Sequence, residues 1–297
     1  MPQNKKVLLR ITNLKQYFPL KKRGLYVKAN DGITLDIYEG EVFGLVGESG
    51  CGKSTLGRTI LQLYKQTDGR TMYYGRTLDD IAPRYMLDTI RSLDKKKAHL
   101  HTLEQKRDHL QKEYDKLSEQ EQYAKHAELD AAKKAAHDAL LDIANIIGGL
   151  MILDDMKPVA EAYQKNYELA LKRRNLRARR QKLQVRVDDA VYDKKPADKW
   201  QAQIKTMDDE LAQIQKELDA SLEAIEELRR PHLDDAEFQK FDALHDDGID
   251  LARLTYNEIR LLRRDLQLVF QDPYSSLNPR KHICLLYTSP SPRDMRR

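Results

Sequence analysis

The sequence predicts an α/β core interrupted by a long antiparallel α-helical coiled-coil hairpin, and three observations carry that expectation. Ten of the thirteen glycines fall at or before Gly75, so the opening stretch reads as turn-rich and the middle of the chain as long helix. A glycine-rich run, Gly47-Glu48-Ser49-Gly50-Cys51-Gly52-Lys53-Ser54-Thr55, lies between an apolar β-type run (42–46) and a helical run (55–64). Further on, Trp200, Ile204, Met207, Leu211, Ile214, Leu218, Ser221, Ile225 and Leu228 follow spacings of four and three without a slip. That is the repeat of a coiled-coil seam.

Taken in order, residues 7–14 alternate as a strand and end at Tyr17-Phe18-Pro19. A charged turn, Lys21-Lys22-Arg23-Gly24, leads to a second strand near 26–29, and Ile33-Thr34-Leu35-Asp36-Ile37 alternates as a half-buried strand should. Glu39-Gly40-Glu41 makes a tight turn into the apolar run 42–46, which is expected to be the strand feeding the glycine-rich loop. After the helical run, Thr67-Asp68-Gly69 breaks the chain, 71–74 reads as a short strand, and Gly75 turns it.

The run 47–55 is a complete G-x-x-x-x-G-K-[ST] sequence in a strand–loop–helix context. Its glycines let successive backbone N–H groups curl inward towards phosphate oxygens, and the helix behind adds its positive end. Lys53 is expected to reach the β- and γ-phosphates and the Ser54 hydroxyl to hold Mg²⁺. The core is therefore expected to be of the P-loop NTPase type, binding a nucleoside triphosphate (ATP, by the resemblance given below) with Mg²⁺ through Gly47, Glu48, Ser49, Gly50, Cys51, Gly52, Lys53, Ser54 and Thr55.

Composition narrows the class. The 52 basic residues nearly balance 47 acidic ones, so the net charge of +5 gives no global nucleic-acid signature. There are two cysteines, Cys51 and Cys284, and such low usage fits a reducing cytosol. The opening Met-Pro-Gln-Asn-Lys-Lys lacks the apolar core of a signal peptide. The most apolar run, 139–153, is too short to span a bilayer. A cytosolic chain follows, with any membrane contact indirect.

Two stretches resemble the ATP-binding subunits of ABC transporters, in particular the peptide-importer (oligopeptide/dipeptide) group. One is Gly44-Leu45-Val46 through Leu56-Gly57-Arg58 around the phosphate loop. The other is Gln267-Leu268-Val269-Phe270-Gln271-Asp272-Pro273-Tyr274-Ser275-Ser276-Leu277-Asn278-Pro279-Arg280. The matching parts cover about 5–85 and 255–283. The resemblance implies that Gln271 is the Q-loop glutamine, contacting Mg²⁺ and the attacking water, and that Tyr17 stacks on adenine, with Phe18 as a competitor. It also implies membrane subunits of a transporter and a second ATP-binding subunit, as a homo- or heterodimer, on the inner face of the cell membrane.

In relatives a few tens of residues separate the two motifs, whereas here 218 positions separate Lys53 from Gln271. The expected organisation is residues 1–85 as the first part of the ATPase core, 86–253 as a helical insertion, 254–283 as the return to the core, and 284–297 as a tail. Leu100/Leu103, Arg107/Leu110 and Tyr114/Leu117 give a weaker register in a first arm, and Leu169, Leu176 and Leu183 a seven-residue spacing in the middle. Gly148-Gly149 with Asp154, Asp155 and Pro158 reads as the tip of one hairpin, Pro196 as a joint and Pro231 as the exit. Arms of about 50 residues would extend on the order of 75 Å. The apolar cluster Ile143, Ile146, Ile147, Leu150, Met151, Ile152 and Leu153 is expected to close that tip.

A basic run, Lys172, Arg173, Arg174, Arg177, Arg179, Arg180 and Lys182, could meet phosphates, but acidic residues elsewhere in the insertion can pair with it. The tail Cys284-Leu285-Leu286-Tyr287-Thr288-Ser289-Pro290-Ser291-Pro292-Arg293-Asp294 resembles a translated sequencing adapter, which would end natural sequence near Ile283. The family's signature sequence, catalytic Glu and switch His lie beyond the Q-loop, so no catalytic residue is assigned, and ATP binding without appreciable hydrolysis is expected of the chain. Two other readings stand beside the importer subunit. One is a coiled-coil ATPase head of the DNA-repair or chromosome-maintenance type, and the other is a partner-docking module.

Overall fold

The computed structural model describes residues 5–269. Strand β1 (Val7–Pro19) buries Leu9, Ile11 and Leu14 along one face and is flanked by β2 (Tyr26–Tyr38) and β3 (Asp68–Tyr73). With the two-residue β4 (Ile249–Asp250) the sheet runs β2-β1-β3-β4, every pairing antiparallel. The two runs expected as separate strands, near 26–29 and 33–37, are one strand. Gly32 lies between them at φ 78°, a left-handed conformation that costs glycine little. Helix α1 (Lys53–Ile60) lays Leu56 and Ile60 on Ile11, Leu14, Ile33 and Leu35.

The run 42–46 is not a strand. It has no ladder partner, and Val42 and Val46 are 98% and 94% exposed. A strand needs a neighbour for its N–H and C=O groups, and none of the described strands runs beside it. The expected strand–loop–helix unit is therefore present as loop and helix only.

Short helices α2 (Leu78–Ile81) and α3 (Arg84–Ile90) lead into the long helices. In place of one long hairpin the structure has two. Helix α4 (Leu93–Tyr114) packs on α5 (Glu119–Ile147), and α6 (Lys157–Tyr192) packs on α7 (Asp198–Arg229). The longest, α6 at 36 residues, extends about 54 Å at about 1.5 Å per residue, short of the expected arm. The turns lie at 115–118 and 193–197, so Pro196 belongs to a hairpin tip rather than a joint. Along α7 the predicted stripe does face a helix. Ile214, Leu218 and Ile225 share a core with Leu176 of α6, and Ile204 with Trp200 packs on Leu183, Val187 and Ala190.

Gly148-Gly149 and the apolar residues around them form no tip. They make a 3₁₀ turn (Gly148–Ile152) at the shared base of both hairpins. There Ile143, Ile147 and Leu150 are sealed against Met156, Val159 and Phe238 of helix α8 (Ala236–Asp242). The expectation of a closing core holds for these residues, but what they close is the base. The stretch Glu119–Ile152 is long and apolar enough to cross a bilayer by length and composition, yet half of its most apolar window is buried inside the protein. Helix α9 (Tyr256–Leu262) follows the sheet's last strand.

The base is fastened to the sheet by charge. Asp142 of α5 receives Arg70 of β3 at 2.8 Å, Arg253 at 3.0 Å and Lys96 of α4 at 3.6 Å. Lys134 bridges to Asp68 at 2.8 Å.

Candidate nucleotide-binding site

The site is built where the loop 47–52 meets β2. Gly52 caps α1 at φ 94°, and a Cβ there would stand 2.3 Å from the carbonyl oxygen of Ala29. Only glycine fits, because the conformation is left-handed and the loop backbone lies directly on the strand. Gly50 is also left-handed, at φ 80°, and the Cys51 amide donates to Glu48 O at 3.3 Å. The Gly52 carbonyl accepts the first helical bond, from Leu56 N at 2.8 Å. Helix α1 has no acidic residue in its first turn and no side-chain cap. Its leading N–H groups are therefore free to meet an anion, helped by the helix dipole.

Lys53 folds over this loop. Its ammonium donates to the carbonyls of Gly47 (2.6 Å) and Glu48 (2.5 Å) and lies 3.4 Å from the Cys51 sulfur. Ser54 is exposed at the helix start, where its hydroxyl is open to a cation, and Thr55 gives its carbonyl to the Thr59 hydroxyl at 2.8 Å. No metal-holding cluster of His, Cys, Asp and Glu exists among the described residues. Among the described residues a cation here would have the Ser54 hydroxyl as its protein ligand, with phosphate oxygens and water able to supply others, as suits Mg²⁺. The donor set fits a magnesium polyphosphate.

Tyr17 stands on β1 opposite Lys28 of β2. Its hydroxyl donates to Asp31, and the Lys28 ammonium lies 5.4 Å from the ring centre. The bond to Asp31 pushes the phenol up to about 12, and the same bond, helped by Lys28, holds the Asp31 carboxyl below the usual range. Its backbone is pinned by Thr67, whose hydroxyl accepts from Tyr17 N at 2.9 Å. Phe18 is committed elsewhere, edge-on to Tyr64 with centroids 5.3 Å apart. Gln271 lies outside the described residues, as do Cys284 and the tail 284–297. Sequence reasoning missed Asn30, whose amide donates to Gly52 O at 3.4 Å. No spacing rule links positions 22 apart, and only the strand's path brings them together.

The basic run on α6 is largely paired. Arg173 and Arg177 face Asp80 at 3.8 and 3.3 Å, Arg174 donates to the Ile81 carbonyl, and Arg180 bonds Asp208 of α7. These guanidinium groups serve the protein's own carboxylates and carbonyls, which does not favour the DNA-binding alternative.

A glycine cradle seated on a strand, a lysine over it and a helix end behind make up the geometry that a phosphate-binding loop requires. The profile of the ABC transporter family matches residues 30–241, well over half of the chain. The chain belongs to that family. The oligopeptide transport ATP-binding protein OppF of Bacillus subtilis (strain 168) is 55% identical over 71 residues, covering 24% of this chain and 23% of the relative. The putative oligopeptide transport ATP-binding protein YkfD of the same organism is 51% identical over 77 residues, 26% of this chain and 23% of the relative. The dipeptide transport ATP-binding protein DppF of Lactococcus lactis subsp. cremoris (strain MG1363) is 47% identical over 83 residues, 27% and 26% respectively. The chain spans only about a quarter of the length of the curated relatives it matches. No solved structure matches it.

Proposed function

We propose that this chain is the nucleotide-binding part of an ATP-binding subunit that energises peptide uptake by an ABC importer. The observation that carries the reading is the loop 47–55, in which Gly52 on β2, the Lys53 ammonium and the open start of α1 converge. Lys53 would exchange the carbonyls of Gly47 and Glu48 for phosphate oxygens, and the N–H groups at the start of α1 would hold the chain of phosphates. Bound Mg²⁺, held by Ser54 and by Gln271, would neutralise charge that develops on the phosphates.

Peptide as the transported class is supported by the printed names of the relatives. Membrane subunits, a second ATP-binding subunit and a place on the cytoplasmic face of the membrane follow from the same reading. Residues 1–85 and 254–283 would form the core, and 86–253 an insertion carried on it. The purified 297-residue chain titrated with MgATP in a calorimeter tests the reading. Saturable binding that disappears in Lys53→Ala is expected. Equal binding by both chains, or none by the wild type, overturns it.

A further inference from the structure

We propose that Asn30 is a positioning residue of the phosphate-binding loop, fixing the direction of the Gly52 carbonyl and through it the donors that meet a nucleoside polyphosphate. The proposal rests on the nucleotide reading above and adds to it a residue outside the loop motif. Asn30 is the only buried residue of β2, at 7% exposure, although it is polar. Its amide nitrogen donates to Gly52 O at 3.4 Å, while its carbonyl oxygen Oδ1 finds no partner among the described residues. A buried acceptor left unpaired is unfavourable, and an apolar strand residue would fill the space without that cost. What the asparagine supplies in return is a donor, and the group it reaches is the N-cap of α1.

The N-cap needs that help. Glycine has no side chain with which to cap its own helix, and Gly52 makes no side-chain cap bond. Its carbonyl instead takes two donors, Leu56 N from within α1 and Asn30 Nδ2 from the strand. Two donors on one carbonyl set the rotation of the Gly52–Lys53 peptide plane. That plane carries the Lys53 N–H, the first of the helix-end donors, and sets where the Lys53 side chain departs. The contact of Gly52 with Ala29 O fixes how close the loop lies, and Asn30 fixes how it is turned.

The full chain carries the test in two readouts. Labelled with ¹⁵N-cysteine it gives amide signals only from Cys51 and Cys284, and Cys51→Ser identifies the first. Asn30→Ala, and Asn30→Val to keep the strand filled, are each titrated with MgATP and with magnesium tripolyphosphate. The expected loss for both ligands is about tenfold, the scale of one hydrogen bond, with the Cys51 amide displaced and the Cys284 amide unmoved. Unchanged affinity and an unmoved Cys51 signal in the folded variants overturn the proposal. A wild-type chain that binds neither ligand overturns the nucleotide reading instead, and the Cys51 signal still decides whether Asn30 orients the loop.

Discussion

Gly149 lies flat against the ring of Phe238: a Cβ on Gly149 would stand 2.5 Å from Phe238 Cδ2. Its amide donates to Asp242 at 3.1 Å, and the same carboxylate takes Arg229 at 2.7 Å. Helix α8 is thus clamped over the base of both hairpins by one aromatic ring and one carboxylate. Gly149→Ala is expected to force the ring aside in a sealed core, at about 1–3 kcal/mol. The urea midpoint of the chain measures it, and a midpoint equal to wild type would show that α8 does not seat as described.

Asp142 is the second fastening, with Arg70, Arg253 and Lys96 around one carboxylate. Each partner comes from a different element, so removing the carboxylate releases the sheet from the hairpin base as well as losing ion pairs. The groups are a quarter to a third exposed except Arg70, at 14%, which moderates the cost. Asp142→Ala is expected to destabilise by on the order of 1–2 kcal/mol after allowance for screening. Limited proteolysis should then cut first near the junctions around 91–93 and 253–255. Wild-type cleavage rates there would refute the fastening role.

How much of this could be read in advance depends on whether a residue's role is local. Strands β1 and β3 and helix α1 follow from period-two and period-3.6 patterns, and the phosphate loop from a fixed spacing. The run 42–46 has the right residues for a strand, but a strand is a relation between two segments and no described partner supplies it. Gly148-Gly149 eludes a local reading for a different reason. Glycine both ends helices and admits close neighbours, and here the neighbour is Phe238, about 90 residues away. The true hairpin turn did carry a local signal: Ser118 and Glu121 form a capping box at the start of α5. Asn30 and Asp142 had none, since their partners converge only through the fold.

Asp79 opens a pH test. It sits in the first turn of α2, accepts from Asn166 Nδ2 at 3.2 Å, and burial pushes its carboxyl above the usual range despite Arg173 and Asn166. The folded chain therefore holds this proton more tightly than the unfolded chain. The group's contribution to stability is most favourable at pH below the ordinary carboxyl value and falls as pH rises through the raised one. Asp79→Asn removes the buried charge, so the variant is expected to be the more stable at pH 8, on the order of 1 kcal/mol. The gap should narrow towards pH 4. A gap of equal size at both values would mean that burial is not what the aspartate resists.

Tyr17 offers the sharpest separation of base from phosphate recognition. The bond to Asp31 is expected to persist from above the ordinary carboxyl value to the ordinary phenol value, roughly pH 4 to 10. Below that window Asp31, held low by Tyr17 and Lys28, loses its contribution as pH falls through its lowered value. Above it Tyr17 loses its own as pH rises through about 12. If the ring stacks on adenine, Tyr17→Phe keeps the stacking surface and Tyr17→Ala removes it, at about 1–3 kcal/mol per base. The loss in Tyr17→Ala should then appear with MgATP and be absent with magnesium tripolyphosphate, which has no base to stack. An equal loss with both ligands would assign Tyr17 to holding β1 against β2, and Phe18, already packed edge-on to Tyr64, would not replace it.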